Sequence, residues 1–322
     1  MKYNYVVVGS DNDFYMASYA DLFECSYAKY LWKQIDTNSS FITFLYKLHT
    51  SPITNRFVNL PMKSIWNKWL FRGKFNNDNP ICFIFFAGRD REIRNGIVKY
   101  LRENYKDCKT VLFYQDIVKK SKLPELNKIR NQFDLILSFD QLDVKKYNLV
   151  YYPLVYSQVV VPDGNIEESD IYFVGKAKDR LEDIRDAYGV LKNAGLKCDF
   201  HITGVSQEDI KADDGIVYNV PVSYMENLQR IKASKCMLEI MQKGGHGFTL
   251  RYCEAIMYGK KIITNNPEIQ RAPFYNQDRI QVFNKPKEIK CEFILKGNKE
   301  VNYGYKEFLS PQKLLDFIDN KL

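Results

Sequence analysis

The sequence predicts an α/β protein with two parallel sheets, each in its own domain, and three observations support this prediction. Short apolar runs alternate with longer helical patterns, as in strands joined by crossover helices. These runs are almost continuously hydrophobic, which is typical of strands buried on both faces. The alternation stops at the acidic stretch 159–170, which carries Pro and Gly, and then restarts.

The predicted elements follow in chain order. In the first half we predict strands at 5–9, 41–46, 81–88, 110–115, 135–139 and 149–153, with a helix at 91–105. In the second half we predict strands at 170–175, 197–204, 215–219, 236–240, 261–265 and 279–283, with helices at 179–195, 223–234, 248–259 and 311–321. The predicted domains are therefore 1–158 and 159–322.

The composition indicates a globular protein with an acidic partner. Of 322 residues, 45% are hydrophobic and 27% charged, and the net charge of +8 favours nucleic acid, an anionic membrane or a phosphorylated substrate. The basic residues are spread along the chain without a recognisable nucleic-acid module, so we predict no nucleic-acid partner. Seven scattered cysteines without a C-x-x-C pair favour reduced thiols in a cytosolic protein.

A glycine-rich turn stands directly before a helical pattern in the stretch KGGHGFTLRYCE, residues 243–254. A helix beginning near Phe248 or Thr249 would aim its free N–H groups at that turn and create a site for a diphosphate. Glu254, inside the helix, could accept hydrogen bonds from two ribose hydroxyls. The alternative is that the glycines form a tight turn and Glu254 pairs with a nearby Lys or Arg.

Two further predicted strand ends carry suggestive residues. Gly175 is followed by Lys176, Lys178 and Arg180, and the strand at 197–204 ends in Gly204. Open α/β sheets bind ligands at the carboxyl ends of their strands, where the strand order reverses. These loops are therefore candidates for the same binding site.

The run G-x-T-x-R-x-x-E-A-I-x-x-G-K-K-I-I-T-N-N, with the preceding V-S-Y-M-E-N-L-Q-R-I-K-A-S-K-C-M-L-E-I and D-I-Y-F-V-G-K-A-K-D-R, carries a family resemblance. It resembles the nucleotide-binding region of GT-B glycosyltransferases of bacterial surface-polysaccharide assembly, and covers roughly residues 170–270. The resemblance implies two Rossmann-like domains that face each other across a cleft, the first binding the acceptor and the second the nucleotide sugar. A Gly-rich loop and helix start would hold the diphosphate, and a helix glutamate the ribose.

The resemblance also implies a set of donor-binding residues. In this sequence they are Gly175, Lys176, Arg180, Gly204, Tyr224, Gly245, His246, Gly247, Phe248, Thr249, Arg251 and Glu254. Lys176, Arg180 and Arg251 would neutralise the leaving diphosphate. Thr249 could cap its helix or contact a phosphate, and Tyr224 could contact the base or simply pack. Many retaining members carry a second glutamate eight positions before the one matching Glu254. Histidine stands there in this chain, which favours an inverting mechanism.

An inverting displacement needs a general base from the first domain. Asp13 and Asp90 are the preferred candidates, and Asp11 and Asp116 also follow predicted strands. Asp11 and Asp13 mimic a metal-binding D-x-D, but a loop with helix-capping carboxylates explains them better. We therefore expect no metal and no cofactor beyond the nucleotide-sugar co-substrate.

The segment 56–75, RFVNLPMKSIWNKWLFRGKF, combines Trp66 and Trp69 with several Lys and Arg residues and no acidic residue. This composition is typical of a helix at a membrane interface. The alternative is a surface helix whose aromatic face packs on the core.

The predicted function is transfer of a sugar, with a UDP-sugar favoured, to a hydroxyl of a glycan or lipid-linked glycan in capsule, lipopolysaccharide or exopolysaccharide assembly. The expected location is the cytoplasm, with peripheral contact at the inner face of the plasma membrane. Two alternatives stay open: a nucleotide-sugar epimerase or hydrolase of the same fold, and a non-catalytic nucleotide-sugar-binding partner subunit.

Overall fold

The computed structural model describes residues 1–57, 60–89, 93–118, 123–243, 245, 247–296 and 301–322. The chain forms two compact units. Unit 1 consists of Met1–Tyr152 and Pro311–Leu322, and unit 2 consists of Pro153–Ser310.

Unit 1 is built on a parallel six-stranded sheet. Its strands are β1 Asn4–Val8, β2 Ala28–Leu31, β3 Ile81–Phe86, β4 Lys109–Tyr114, β5 Leu135–Ser138 and β6 Val150–Tyr151. Its helices are α1 Asp13–Ser18, α2 Ser40–Thr50, α3 Pro52–Phe57, α4 Ile97–Asn104, α5 Leu123–Ile129 and α6 Gln141–Tyr147, with a 3₁₀ helix at Lys63–Trp69.

The strand order in unit 1 is β2-β1-β3-β4-β5-β6, and every pair is parallel. The order therefore reverses between β1 and β3, which makes their carboxyl ends the topological switch point. The central strands β1 and β3 are apolar except for Asn4 and buried except for the first residue of β3, as the sequence pattern predicted.

One predicted strand of unit 1 is wrong. Residues 41–46, FITFLY, belong to α2 and not to a strand, because their large apolar residues recur at helical spacing through Leu48. Ser39 caps this helix, since its hydroxyl accepts a hydrogen bond from the Ile42 amide at 3.3 Å. The second strand of the sheet is instead Ala28–Leu31, which the sequence analysis did not predict.

Unit 2 repeats the same architecture with a different strand order. Its strands are β7 Ser169–Lys176, β8 Cys198–Thr203, β9 Val217–Tyr218, β10 Ser234–Glu239, β11 Lys261–Thr264 and β12 Ile280–Val282. Its helices are α7 Leu181–Asn193, α8 Tyr224–Ala233, α9 Leu250–Met257, α10 Cys291–Leu295 and α11 Lys306–Leu309.

The sheet of unit 2 has the order β12-β11-β10-β7-β8-β9 and is also entirely parallel. The switch point lies between β7 and β10, because the chain builds outward from β7 on one side and from β10 on the other. Aliphatic and aromatic side chains from both faces of the sheet form the core of this unit.

The domain boundaries differ from the predicted 1–158 and 159–322 at both ends of the second segment. Unit 1 ends at Tyr152, and the last helix, α12 Pro311–Lys321, belongs to unit 1. This helix is held to the first sheet, since the Tyr5 hydroxyl donates to the Leu315 carbonyl at 3.1 Å and the Lys2 amide donates to Asp319 Oδ2 at 2.8 Å. The acidic stretch 159–170 lies within unit 2.

Candidate functional site

The switch point of unit 2 brings together the loops after β7 and β10. The first loop, after Gly175, leads into α7, and the second, after Glu239, leads through the glycine turn into α9. Three predicted donor-binding residues, Gly175, Arg180 and Arg251, meet here.

The guanidinium groups of Arg180 and Arg251 lie side by side over Gly175. A Cβ atom at Gly175 would stand 3.1 Å from Nη2 of both arginines, so only glycine leaves them unobstructed. Arg180 donates to the Ile240 and Lys176 carbonyls, and Arg251 donates to the Val174 carbonyl. Backbone carbonyls at strand ends therefore fix both cations at the switch point.

Burial and mutual repulsion make this pair of cations costly. The pKa of Arg180 falls to about 10, mainly because burial disfavours its charge and secondarily because of the Arg251 charge. The Glu239 and Asp179 carboxylates act in the opposite direction. An anion bound beside the two guanidiniums would relieve the repulsion between them.

The glycine turn is held by side chains from the loop after β11. Gly247 has a φ of +75°, which favours glycine, and its amide donates to Glu268 Oε2 at 3.0 Å. Asn266 Nδ2 donates to the Gly247 carbonyl at 2.9 Å, and the Gly245 amide donates to the Gln242 carbonyl at 2.9 Å. Asn266 and Glu268 are anchors that the sequence analysis missed. His246 lies outside the described residues.

Helix α9 begins at Leu250 with Thr249 as its N-cap residue, close to the predicted start. The Thr249 side chain does not cap its own helix; its hydroxyl donates instead to Glu239 Oε1. The first amides of α9 are thereby left without a side-chain cap from Thr249, as an anion-binding helix start requires. Phe248 packs edge-on against Phe274, with ring centroids 5.6 Å apart, so it supports the turn through packing.

Glu254 lies inside α9 and is almost completely buried. Its Oε1 atom accepts hydrogen bonds from the Tyr224 hydroxyl at 3.0 Å and from Asn227 Nδ2 at 3.1 Å. Burial raises the pKa of Glu254 to about 7, although Arg251 and these two donors act in the opposite direction. The alternative prediction was that Glu254 pairs with a nearby Lys or Arg. Its hydrogen-bond partners among the described residues are instead a hydroxyl and a side-chain amide.

Tyr224, the first residue of α8, belongs to this buried cluster. Its hydroxyl lies 2.5 Å from the Tyr156 hydroxyl as well as 3.0 Å from Glu254. The hydroxyl of Tyr224 is therefore hydrogen-bonded within this cluster, and a contact of its ring with a nucleotide base stays a prediction. Tyr156 and Asn227 were not predicted as members of this cluster.

Glu239 is a further buried carboxylate that the sequence analysis missed. It ends β10 with no exposed surface and accepts hydrogen bonds from three hydroxyls, those of Thr249, Tyr252 and Thr264. These bonds tie the end of β10 to α9 and β11. A glutamate that closes an otherwise apolar run, CMLE, was the available signal in the sequence.

The two remaining predicted donor-site residues lie at strand ends of the same sheet. Lys176 is the exposed last residue of β7. Gly204 follows β8 with a φ of +72° and open space where a Cβ would be. Both stand at the carboxyl edge of the sheet, as predicted. Lys176 touches the arginine pair through its backbone, since its carbonyl accepts hydrogen bonds from Arg180 at 3.2 and 3.3 Å.

Unit 1 carries an open pocket of about 980 Å³ at its own switch point. Gly9, Ser10 and Asp11 line it from the end of β1, and Phe86, Gly88 and Arg89 line it from the end of β3. Aromatic rings and two lysines also line it; they are Tyr15, Trp32, Phe44, Tyr46, Lys33 and Lys47, and the remaining lining residues, Gln34, Ile35, Thr37, Asn38, Ser40 and Thr43, are mostly polar. Such a wall of rings and polar groups suits a sugar, whose faces are apolar and whose rim is polar.

The predicted catalytic aspartates have different positions. Asp11 is exposed and lines the pocket, whereas Asp13 is the first residue of α1. The cap of α1 is Asn12, whose Oδ1 accepts from the Phe14 amide at 3.1 Å, so the carboxylates are not the capping groups. Asp116 accepts a hydrogen bond from the Ile117 amide, and Asp90 lies outside the described residues.

The Trp-containing segment forms a 3₁₀ helix at Lys63–Trp69 whose tryptophans are half-buried. Trp66 packs edge-on against Tyr46 at 5.4 Å, and its Nε1 donates to His49 Nδ1 at 2.9 Å. Arg72 covers the Trp69 ring at 4.7 Å. The aromatic residues that suggested a membrane helix are thus engaged with the protein.

In the part of the chain that the structure describes, no group of three or more His, Cys, Asp or Glu side chains is arranged to hold a metal ion. Among the same residues, no helix is both long and apolar enough to cross a bilayer.

Several solved structures with this architecture match the chain over nearly its whole length. The UDP-forming α,α-trehalose-phosphate synthase from Burkholderia xenovorans shares 10% identity and a TM-score of 0.55, covering 99% of this chain and 98% of that one. The sucrose-phosphate synthase from Thermosynechococcus elongatus is 9% identical with a TM-score of 0.53, and the match covers 98% of this chain and 99% of that one. A protein from Listeria monocytogenes, provisionally named a UDP-N-acetylglucosamine 2-epimerase, is 10% identical with a TM-score of 0.52. The match covers 99% of this chain and 96% of that one.

These likenesses show the fold, which is the GT-B class of two Rossmann-like units, and confirm the predicted fold class. The chain matches no protein-family model and no curated protein sequence. Because transferases and an epimerase share this fold, the reaction must be argued from the site.

Proposed function

We propose that the protein transfers a sugar from a nucleoside-diphosphate sugar, a UDP-sugar being favoured, to a hydroxyl of a glycan or lipid-linked glycan. The observation that carries this proposal is the pair of guanidiniums, Arg180 and Arg251, fixed over Gly175 at the switch point of unit 2. Two partly buried cations so close together suit a ligand with two adjacent negative charges, and a diphosphate has them.

The diphosphate would lie between the arginine pair and the start of α9. The free amides of Thr249 and Leu250 would bind one phosphate and the guanidiniums the other, with Lys176 at the edge of the sheet. Glu254 would accept hydrogen bonds from the ribose hydroxyls through Oε2, because Tyr224 and Asn227 both bind Oε1. The remaining loop residues, among them Gly204, Gly245, His246 and Gly247, would line the donor.

The acceptor would bind in the unit 1 pocket, where Trp32 and other rings can stack on a sugar face. Asp11 lines this pocket and is the proposed general base, with Asp13 and Asp90 as the further candidates. The base removes the proton from the acceptor hydroxyl as its oxygen forms the new bond to the anomeric carbon of the donor. The bond from that carbon to the diphosphate oxygen breaks, and the electron pair leaves with the nucleoside diphosphate.

The charge that develops on the leaving diphosphate would be neutralised by Arg180, Arg251 and the helix start, which supports the expectation of a metal-independent reaction. The inverting course is itself part of the proposal. A role in bacterial surface-polysaccharide assembly, at the cytoplasmic face of the membrane, is part of the same proposal.

A thermal-shift panel with UDP, GDP, TDP, ADP and CMP tests the donor site. We expect one nucleoside diphosphate to raise the Tm clearly more than CMP does. Arg251→Ala should weaken its binding roughly 10- to 100-fold, since a charge-assisted hydrogen bond contributes about 1.5–3 kcal/mol. Arg271→Ala is the matched control, because Arg271 is exposed in the same unit. Equal binding by both variants would contradict the proposed diphosphate site.

Glu254→Ala should abolish the shift from the preferred nucleotide, measured against the variant's own Tm, with exposed Glu182→Ala as its control. An unchanged shift would remove Glu254 from the ribose role.

Two other functions give different outcomes in turnover assays. Loss of the donor without any acceptor would indicate an epimerase or hydrolase, a reading compatible with the fold of the Listeria monocytogenes protein. Tight donor binding without turnover in the presence of glycan and lipid-linked acceptors would indicate a non-catalytic partner subunit.

A further inference from the structure

Helix α2 in unit 1 presents an apolar stripe to solvent. The stripe consists of Phe41, Phe44, Leu45 and Leu48, at positions i, i+3, i+4 and i+7, with exposed fractions of 68%, 60%, 38% and 47%. The opposite face of the helix buries Tyr46 and Thr50. A surface helix normally turns its apolar stripe toward the core, so this helix lies the other way round.

The elements next to α2 extend the exposed apolar surface. Ile53 of α3 and Met62 and Ile65 around the 3₁₀ helix are also exposed. His49 joins these elements, since its carbonyl accepts from Asn55 Nδ2 at 3.0 Å and its Nε2 lies 2.8 Å from the Pro61 carbonyl. Seven large apolar residues exposed on joined elements exceed the scattered single residues of an ordinary surface.

The stretch of chain that carries the stripe has charges of one sign. Residues 37–77 contain no Asp or Glu, while their basic residues are Lys47, Arg56, Lys63, Lys68, Arg72 and Lys74. Lys47 and Lys68 are exposed. Apolar side chains beside Lys and Arg, without acidic residues, are the combination by which amphipathic helices bind the interface of an anionic bilayer.

The same charges argue against a second copy of this chain as the occupant of the surface. A symmetric dimer through α2 would bring Lys47 and Lys68 of one copy toward the same residues of the other, and like charges at an interface are unfavourable. An anionic lipid headgroup complements these charges and leaves the stripe to the acyl chains.

We propose that α2 lies flat on an anionic lipid bilayer, with Phe41, Phe44, Leu45 and Leu48 at the boundary of the acyl chains and the neighbouring lysines among the headgroups. The contact belongs to the face of α2, whereas the tryptophans of 56–75 pack inward. The inference deepens the membrane location that is part of the proposed function, but it does not depend on the proposed sugar transfer. Phe44 and Lys47 also line the unit 1 pocket, so the pocket would open beside the bilayer surface.

The test is sedimentation of the full chain with vesicles of phosphatidylcholine alone or mixed with phosphatidylglycerol. We expect binding to the mixed vesicles that weakens as salt is raised, and little binding to phosphatidylcholine alone. Phe41→Ser with Leu48→Ser should lower the partition coefficient about 10-fold or more, and Lys68→Glu should reduce binding further at low salt. None of these three residues lines the pocket.

The matched control is Leu295→Ser with Phe308→Ser, which removes two comparably exposed apolar residues from unit 2 and should leave vesicle binding unchanged. Circular dichroism checks that both variants fold. The proposal is overturned if the wild-type chain does not sediment with mixed vesicles, or if both double variants bind equally. It is also overturned if the α2 variant instead dissolves a dimer seen by light scattering, because that result assigns the stripe to a second copy.

Discussion

The two units present the same edge of a parallel sheet, but the chemistry at the two switch points differs. In unit 2 the ends of β7 and β10 carry two guanidiniums, a glycine turn and a helix start. In unit 1 the ends of β1 and β3 border a pocket lined by rings and hydroxyls, and its buried cation Arg89 donates from Nε to the Gly9 carbonyl at 2.6 Å. The edge of unit 2 is therefore suited to an anion, and the pocket of unit 1 to a polar ligand with a face that can stack on rings, which agrees with the donor and acceptor sites proposed above.

Asp11 offers the most direct test of the difference between the two units. If unit 1 supplies the base, Asp11→Asn should lower kcat about 100-fold or more, because an amide cannot accept the proton. The nucleotide Kd should not change, since the proposed nucleotide site lies in unit 2. Transfer of radiolabelled sugar and calorimetric titration measure the two quantities. Asp316→Asn, on exposed surface of the same unit, is the control; an Asp11→Asn enzyme with normal kcat would move the base to another aspartate.

Gly175 offers a test of the proposed anion site in unit 2. An alanine there would press its methyl group against both guanidiniums at 3.1 Å, so we expect Gly175→Ala to weaken nucleotide binding about 10-fold. Gly189→Ala is the matched change, because Gly189 lies within α7 with open space at its Cβ position. That variant should bind normally and be stabilised by roughly 0.5–1 kcal/mol. Calorimetry and urea unfolding distinguish the two, and equal Kd values would mean that the pair does not contact the ligand.

A smaller effect concerns the charge of Glu254. Its pKa is about 7 in the folded chain against a usual 4.5, so the unfolded state loses its proton first as the pH rises. Stability is therefore lost between about pH 4.5 and 7, and the full penalty remains above that range. Glu254→Gln carries no charge, so its Tm should exceed that of the wild type by on the order of 5 °C at pH 8 and by much less at pH 4. A Tm difference that does not depend on pH would show that this carboxyl does not titrate in the window.

Much of this arrangement follows from local sequence signals, and the exceptions have physical causes. The buried strands were predictable, because continuous apolar runs have few other uses in a chain of this kind. The stretch 41–46 misled, because Ile, Thr, Phe and Tyr favour strands locally while the spacing that continues to Leu48 requires a helix. At that stretch the helical spacing of the apolar residues was a better guide than their intrinsic preference for strands.

The candidate site of unit 2 was likewise predictable only in part. That Gly175, Arg180 and Arg251 could converge was inferable, since parallel strands end at one edge of their sheet. The three hydroxyls around Glu239 come from α9 and β11, and nothing in the local sequence states that these elements meet there. The sequence also cannot reveal which sheet receives a terminal helix, because an apolar stripe of the α12 kind would fit either one.

Because α12 belongs to unit 1, residues 153–310 form a continuous insertion, whereas unit 1 is assembled from two distant stretches. On the ribosome, unit 2 can thus complete its fold while unit 1 still waits for its last segment. A nascent chain stalled shortly before residue 311 would expose the sheet surface that α12 later covers, and would become a substrate for chaperones there. A protease that removed residues 311–322 would likewise damage unit 1 and spare unit 2.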